Sequence, residues 1–172
     1  MNRLAEWLKR EPTGFWNILN VIIFYTLVAW VYSVAATFLA AIIGLYINDF
    51  DSPYYASAVW MLKFIIPLAI FEEFLFRFFP LAAANEIFRR NIYAVSIVAI
   101  VASARFGYLH GGWICVPIQG VGGLIFCLIF LKCGGYNRRY LKGLVSSSTA
   151  HILYNYSVVL ISLFLGIKEM GI

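Results

Sequence analysis

The sequence predicts an all-α bundle of about five membrane-spanning helices, and three observations lead there. Of 172 residues, 63% are hydrophobic and only 12% charged, where a soluble domain is roughly half apolar and a quarter charged. No charged residue occurs between Glu11 and Asp49. The basic residues lie in short clusters between apolar runs, as topology determinants do. A soluble globular protein is excluded by the mean hydropathy of +0.85, and the chain reads as one membrane domain over 1–172. The net charge of +5 is modest and dispersed, so no nucleic-acid surface is expected.

Each span follows from its run. Met1 to Glu11 is polar and amphipathic, and the apolar run behind it is far longer than the core of a cleavable signal. That run predicts a first, tilted helix over about Phe15 to Tyr46, since about 20 apolar residues suffice to span the hydrocarbon. Asn48-Asp49-Phe50-Asp51-Ser52-Pro53 is a polar turn. The second helix covers about Tyr54 to Ala84 and carries Lys63, Glu72, Glu73 and Arg77, with Pro67 and Pro80 as expected kinks on either side of the acidic pair. Residues 1–53 thus form an N-terminal segment with one span, and 54–167 form the core.

After the polar link from Glu86 to Asn91, a third helix runs from about Ile92 to Tyr108 and stops at His110-Gly111-Gly112. The fourth spans about Ile114 to Leu131, where Gly120, Gly122 and Gly123 predict close contact with a neighbouring backbone. A basic link follows around Gly134-Gly135. The fifth helix, about Gly143 to Ile167, contains His151 and Asn155. Cys115, Cys127 and Cys133 lack metal or redox spacing and read as small buried hydrophobes.

Charge bias orients the bundle. Arg3, Lys9 and Arg10, then Arg89 and Arg90, then Lys132, Arg138, Arg139 and Lys142 fall on alternate links. Five spans with the N-terminus cytoplasmic and the C-terminus outside place every cluster in the cytoplasm of a multi-pass cell-membrane protein. Arg105, near the outer end of the third helix, is the one residue against this pattern.

Charges at bilayer depth are costly and mark working sites. Residues four apart share a helix face, so Glu73 and Arg77 form a pair, while Glu72 is rotated about 100° away and finds no partner on its own helix. A carboxylate without a partner in a low-dielectric site is suited to act as a base. The alternative is a purely structural ion-pair cluster. Phe106 and His110 are also four apart, as are His151 and Asn155. Together these side chains on three spans make a set of the size that bundle cores use for sites. Straight helices put Glu72 roughly 20 Å, His151 roughly 13 Å and His110 roughly 27 Å from their cytoplasmic links. A shared site therefore requires tilt, a kink or a chain turned back near Gly107.

Glu72-Glu73-Phe74-Leu75-Phe76-Arg77 resembles the EExxxR motif of the CPBP family, the CAAX protease and bacteriocin-processing (ABI-like) enzymes. Phe106 to His110 is similar to its FxxxH motif, and His151 to Asn155 to its HxxxN motif. The resemblance covers roughly Tyr54 to Ile167. It implies a glutamate-dependent intramembrane endopeptidase in which Glu72 and His110 activate water while His151 and Asn155 stabilise the oxyanion. Glu73, Arg77 and Phe106 would support them. Two departures bear on packing and access: Phe78, Phe79 and Pro80 follow Arg77 where many members have glycine, and Tyr108 is bulky.

The expected partners are membrane lipids and a peptide or protein substrate, whether lipidated or bearing a leader or sorting signal, cleaved near the membrane surface. No cofactor is expected. A zinc-dependent version would use Glu72, His110 and His151 as ligands, but no HExxH helix or cysteine ligand accompanies them. From other classes, a non-catalytic protein of the same fold, such as a bacteriocin self-immunity factor or scaffold, and a small transporter or proton relay also fit buried Glu and His. The absence of an evident inverted repeat weighs against transport.

Overall fold

The computed structural model describes residues 3–42 and 58–164, and all regular structure within them is helical. In chain order these helices are α1 (Arg3–Lys9), α2 (Phe15–Ile42), α3 (Ala58–Glu73), α4 (Phe79–Ile87), α5 (Ile92–Leu109), α6 (Val121–Lys132) and α7 (Tyr140–Phe164). Turns of π-helix occupy Phe74–Phe78 and Val116–Gly120, and 3-10 turns Gly112–Ile114 and Gly135–Asn137. Each predicted span has its counterpart. The expected turn from Asn48 to Pro53, and the outer ends of the first, second and fifth spans, lie outside the described residues.

Four stretches are long and apolar enough to cross a membrane: Phe15–Ala40, Ile92–Leu109, Gly112–Lys132 and Tyr140–Ile161. The fifth helical run, from α3 through α4, carries Lys63, Glu72, Glu73 and Arg77 and is not among them. The outward faces expose Phe24, Leu27, Val31 and Phe38 on α2 and Ile97, Ile100 and Val101 on α5. A contiguous apolar exterior of this kind matches lipid rather than water. The chain is a polytopic, all-α membrane bundle.

Proline shapes the run that bears the acidic pair. Pro80 has no N–H, and its ring would clash with the carbonyl four residues back. The hydrogen-bond ladder slips just before it, and the Phe79 N–H reaches Phe74 O, five residues away. The expected kink is thus realised as a π turn directly after Glu73, a device that recurs at functional sites. Pro67 sits inside α3 without ending it.

α5 begins where Asn91 accepts hydrogen bonds from the N–H groups of Tyr93 and Ala94, at 3.0 and 3.3 Å. It ends where Gly111 and Gly112 adopt φ of 136° and 72°, values open to glycine but strained for other residues. The chain then doubles back so closely that a Cβ on Gly107 would stand 2.7 Å from Gly120 N and 2.8 Å from Cys115 O. Both obstacles are backbone and cannot yield. Gly107→Ala is therefore expected to force α5 away from the Cys115–Gly120 segment and destabilise the fold by the roughly 1–3 kcal/mol typical of overpacking. A thermal unfolding midpoint equal to that of the unmodified protein would refute this close packing.

The basic clusters converge at one end of the bundle. The Lys132 ammonium donates to Trp7 O and Arg10 O and lies 4.4 Å from the Trp7 ring centroid, tying α1 to the end of α6. Tyr136 OH donates to Arg90 O at 2.9 Å, and Asn85 Nδ2 donates to Gly135 O and Tyr136 O, each at 3.1 Å. Arg138 pairs with Glu86 at 2.8 Å, while Lys142 and Arg139 both reach Glu11. Burial opposes the charge on Glu11, but Lys142, Asn137 and Arg139 outweigh it and hold this carboxyl below its ordinary range. All three free cysteines are buried, as expected.

Candidate active site

Three crossings bring one cluster together. Glu73 and Arg77, one helical turn apart, are fully buried and pair at 3.3 Å. The Arg77 guanidinium lies 4.2 Å from the Phe106 ring centroid and 5.7 Å from that of Phe126, so aromatic faces supply part of what water would. A Cβ on Gly123 would stand 3.0 Å from Arg77 Nη2 and 3.1 Å from Phe106 Cδ1. The glycine on α6 is thus the wall against which this guanidinium rests.

Glu73 has a second partner in His151 of α7, whose Nδ1 is 3.0 Å from Glu73 Oε1. Because a carboxylate only accepts, this contact places a proton on Nδ1. The His151 ring is also held flat against Phe126, with centroids 4.7 Å apart and planes at 23°. Glu73 and Phe126 between them fix the imidazole and turn its Nε2 toward Glu72, 3.6 Å from Oε2.

Glu72 faces away from Glu73, as the helical rotation predicts, but it is not isolated. His110 Nε2 lies 3.7 Å from its other oxygen, so the carboxylate stands between two imidazoles from two other helices. His110 Nδ1 is 2.8 Å from Phe106 O. A carbonyl can only accept, so Nδ1 carries the proton and Nε2 faces the carboxylate. The side chains of Glu72 and His110 are 26% and 29% exposed, against 5% for His151, so the cluster is reachable on the Glu72 side.

Side-chain direction narrows the gap in depth that straight helices left between Glu72 and His110. Helical side chains lean toward the N-terminus of their own helix. α5 runs away from the basic end, so His110, bonded to a carbonyl one turn earlier, reaches back toward it. α3 runs toward that end, so Glu72 leans away from it. These leans bring Glu72 and His110 together, whereas His151, on a helix that runs away from the basic end, leans back toward that end and gains no depth from the effect. No turning back of the chain at Gly107 is needed; α5 stays helical to Leu109.

Asn155, one turn after His151 on α7, is half-buried. Phe106 is buried and touches Arg77, His110 and His151, with ring centroids 4.2 Å from His110 and 6.0 Å from His151. Tyr108 points elsewhere, packing edge-on against exposed Trp113 with centroids 5.1 Å apart. Among the described residues, no group of three or more His, Cys, Asp or Glu side chains is arranged to hold a metal ion.

Residues 54–157 match the family model for type II CAAX prenyl endopeptidase Rce1-like proteins. The matched region contains the whole cluster from Glu72 to Asn155. The chain belongs to the Rce1-like family. No curated protein and no solved structure matches it. At the level of this family it is a CAAX-type intramembrane protease acting on a peptide or protein substrate in a membrane context.

In this Rce1-like chain two members of the cluster escaped the reading of the sequence. Phe126 cannot be told from the other fourteen phenylalanines by residue type. Its signal was indirect: it lies three residues after Gly123, on the helix face that the glycines mark for close approach. Gly123 itself was legible as a contact residue, but not as the seat of Arg77.

Proposed function

We propose that Glu72 and His110 activate a water molecule for attack on a peptide bond, and that His151 and Asn155 stabilise the resulting oxyanion. The observation that carries this reading is the position of the Glu72 carboxylate between two imidazoles held by separate helices. Glu72 takes a proton from water as the oxygen bonds to the scissile carbonyl carbon. The carbonyl oxygen becomes the oxyanion. As it collapses, the C–N bond breaks and the proton passes to the leaving amine. The products are a carboxylate and an amine.

His110 orients the water. With its Nδ1–H given to Phe106 O, its Nε2 is free to accept a hydrogen bond from water that also donates to Glu72. His151 donates from Nδ1 to Glu73 and can donate from Nε2 only as the imidazolium, a cation well suited to a developing oxyanion. Asn155 supplies a neutral N–H on the same face. Glu73 and Arg77 position His151 rather than touch the substrate.

The reaction is read as metal-independent, with the N-terminus and the basic end of the bundle in the cytoplasm. The family points first to a peptide with a prenylated C-terminal CAAX sequence as substrate. The test uses the full chain in proteoliposomes with a farnesylated CAAX peptide and its unprenylated counterpart. Asn155→Ala is expected to lower kcat by about 10²–10³-fold, as removal of an oxyanion donor does, with KM little changed. Full activity after exhaustive chelation, with no bound zinc, is expected. A kcat unaffected by Asn155→Ala removes the oxyanion role, and activity lost on chelation and restored by zinc removes the metal-free reading.

A further inference from the structure

The bundle carries a concave feature away from the Glu72 cluster. A groove of about 1020 Å³ runs between α2 and α7 at the basic end, at the upper edge of the roughly 300–1,000 Å³ in which ligands bury most of their surface. Its walls are apolar: Phe15, Leu19 and Ile22 of α2, Leu141 and Val145 of α7, and Phe78. Its rim is cationic, formed by Arg138, Arg139 and Lys142 at the start of α7.

The rim cations are unequally committed. Lys142 is bound into the fold through Glu11, whose side chain is only 9% exposed. Arg139 reaches the same carboxylate only at 3.4 Å and is 67% exposed, so its guanidinium is largely free to engage another anion. Arg138 pairs with Glu86 at the surface, both about half exposed. The rim also adjoins the N-terminus of the long helix α7, whose first N–H groups lack intrahelical acceptors and favour an anion. Apolar walls at membrane depth and a cationic rim at the interface fit one chemistry: hydrocarbon chains ending in a phosphodiester.

We propose that this groove binds an anionic phospholipid, its acyl chain along Leu19, Ile22 and Val145 and its phosphate at Arg139 and the start of α7. The cationic rim favours a net-anionic headgroup over a zwitterionic one, whose own cation it would repel. It opens beside Phe78, which stacks on Phe74 at a centroid distance of 5.1 Å, and Phe74 directly follows Glu73. A bound lipid would therefore brace the π turn that sets the acidic pair.

The test is native mass spectrometry of the full chain released from nanodiscs of phosphatidylcholine and phosphatidylglycerol in equal parts. The unmodified protein is expected to retain phosphatidylglycerol over phosphatidylcholine. Arg139→Gln should reduce that preference about five-fold, the worth of one interfacial cation. Leu19→Trp, which fills the groove while leaving the rim intact, should abolish retention, a result that binding of phosphate alone would not give. Arg89→Gln/Arg90→Gln, at another basic link, should leave the preference unchanged. Equal retention of the two lipids overturns the proposal, as does a preference unmoved by Arg139→Gln in protein that keeps its thermal midpoint. A loss as large in Arg89→Gln/Arg90→Gln also overturns it, because the preference then belongs to the whole basic face.

Discussion

Glu72→Gln is expected to abolish peptide cleavage while leaving the protein folded. The substitution keeps the size of the side chain and removes its capacity to take a proton, so the loss should approach the roughly 10²–10⁴-fold that general-base catalysis contributes. Glu72 is a quarter exposed, and its ion pairs among the described residues are with His110 and His151 at 3.7 and 3.6 Å, so little of the fold depends on its charge. The thermal midpoint in detergent should therefore stay near that of the unmodified protein. Cleavage of the farnesylated peptide at an undiminished rate would refute the role of Glu72. A large fall in the midpoint would show instead that the carboxylate is a structural element.

The opposite pattern is expected one residue later. Glu73 and Arg77 are both fully buried, and the guanidinium nitrogens and Glu73 Oε2 have no further hydrogen-bond partner among the described residues. Truncating one member strands the other charge in a low-dielectric interior, a loss of about 3–5 kcal/mol. Arg77→Met should accordingly lower the thermal midpoint sharply. Glu73→Gln should do so too, and should also slow cleavage by loosening His151, whose Nδ1 it holds at 3.0 Å. Glu73→Gln/Arg77→Met removes both charges and should be less destabilised than the sum of the single variants. Strict additivity in this cycle would mean that the two groups do not interact.

These contrasting expectations trace what the sequence could and could not disclose. The Glu73–Arg77 pair is a local, four-residue relation, and helical geometry alone predicts it. The rotation of Glu72 away from that pair is equally local. The partners of Glu72 are not, because they come from helices whose relative depth depends on tilt and side-chain direction. Counting residues along α5 tracks Cα positions and overstates the depth of His110, whose imidazole folds back toward Phe106 O. The lean of side chains toward their helix N-terminus was available as a correction, and it acts in opposite senses on α3 and α5.

Pro80 illustrates a different limit. A proline inside a helical run predicts disruption, but whether the ladder breaks, bends or slips by one residue depends on what packs around it. Here it slips, and the π turn from Phe74 to Phe78 places Arg77 in the core beneath Phe106. Gly120 and Gly123 were legible as sites of close approach, whereas Gly122, expected to be a third, has open space where its Cβ would stand. What approaches Gly120 and Gly123 was not legible, since a missing side chain does not name its neighbour.

In the proposed mechanism Glu72 and His110 act on the same water molecule. The most direct measurement is a kinetic cycle of Glu72→Gln, His110→Gln and the double variant, reading kcat/KM for the farnesylated CAAX peptide in proteoliposomes. Groups that act as a unit are non-additive. The double variant is expected to be no slower than the slower single one. A double variant slowed by the product of the two single effects would contradict that mechanism, because the two side chains would then contribute to independent steps.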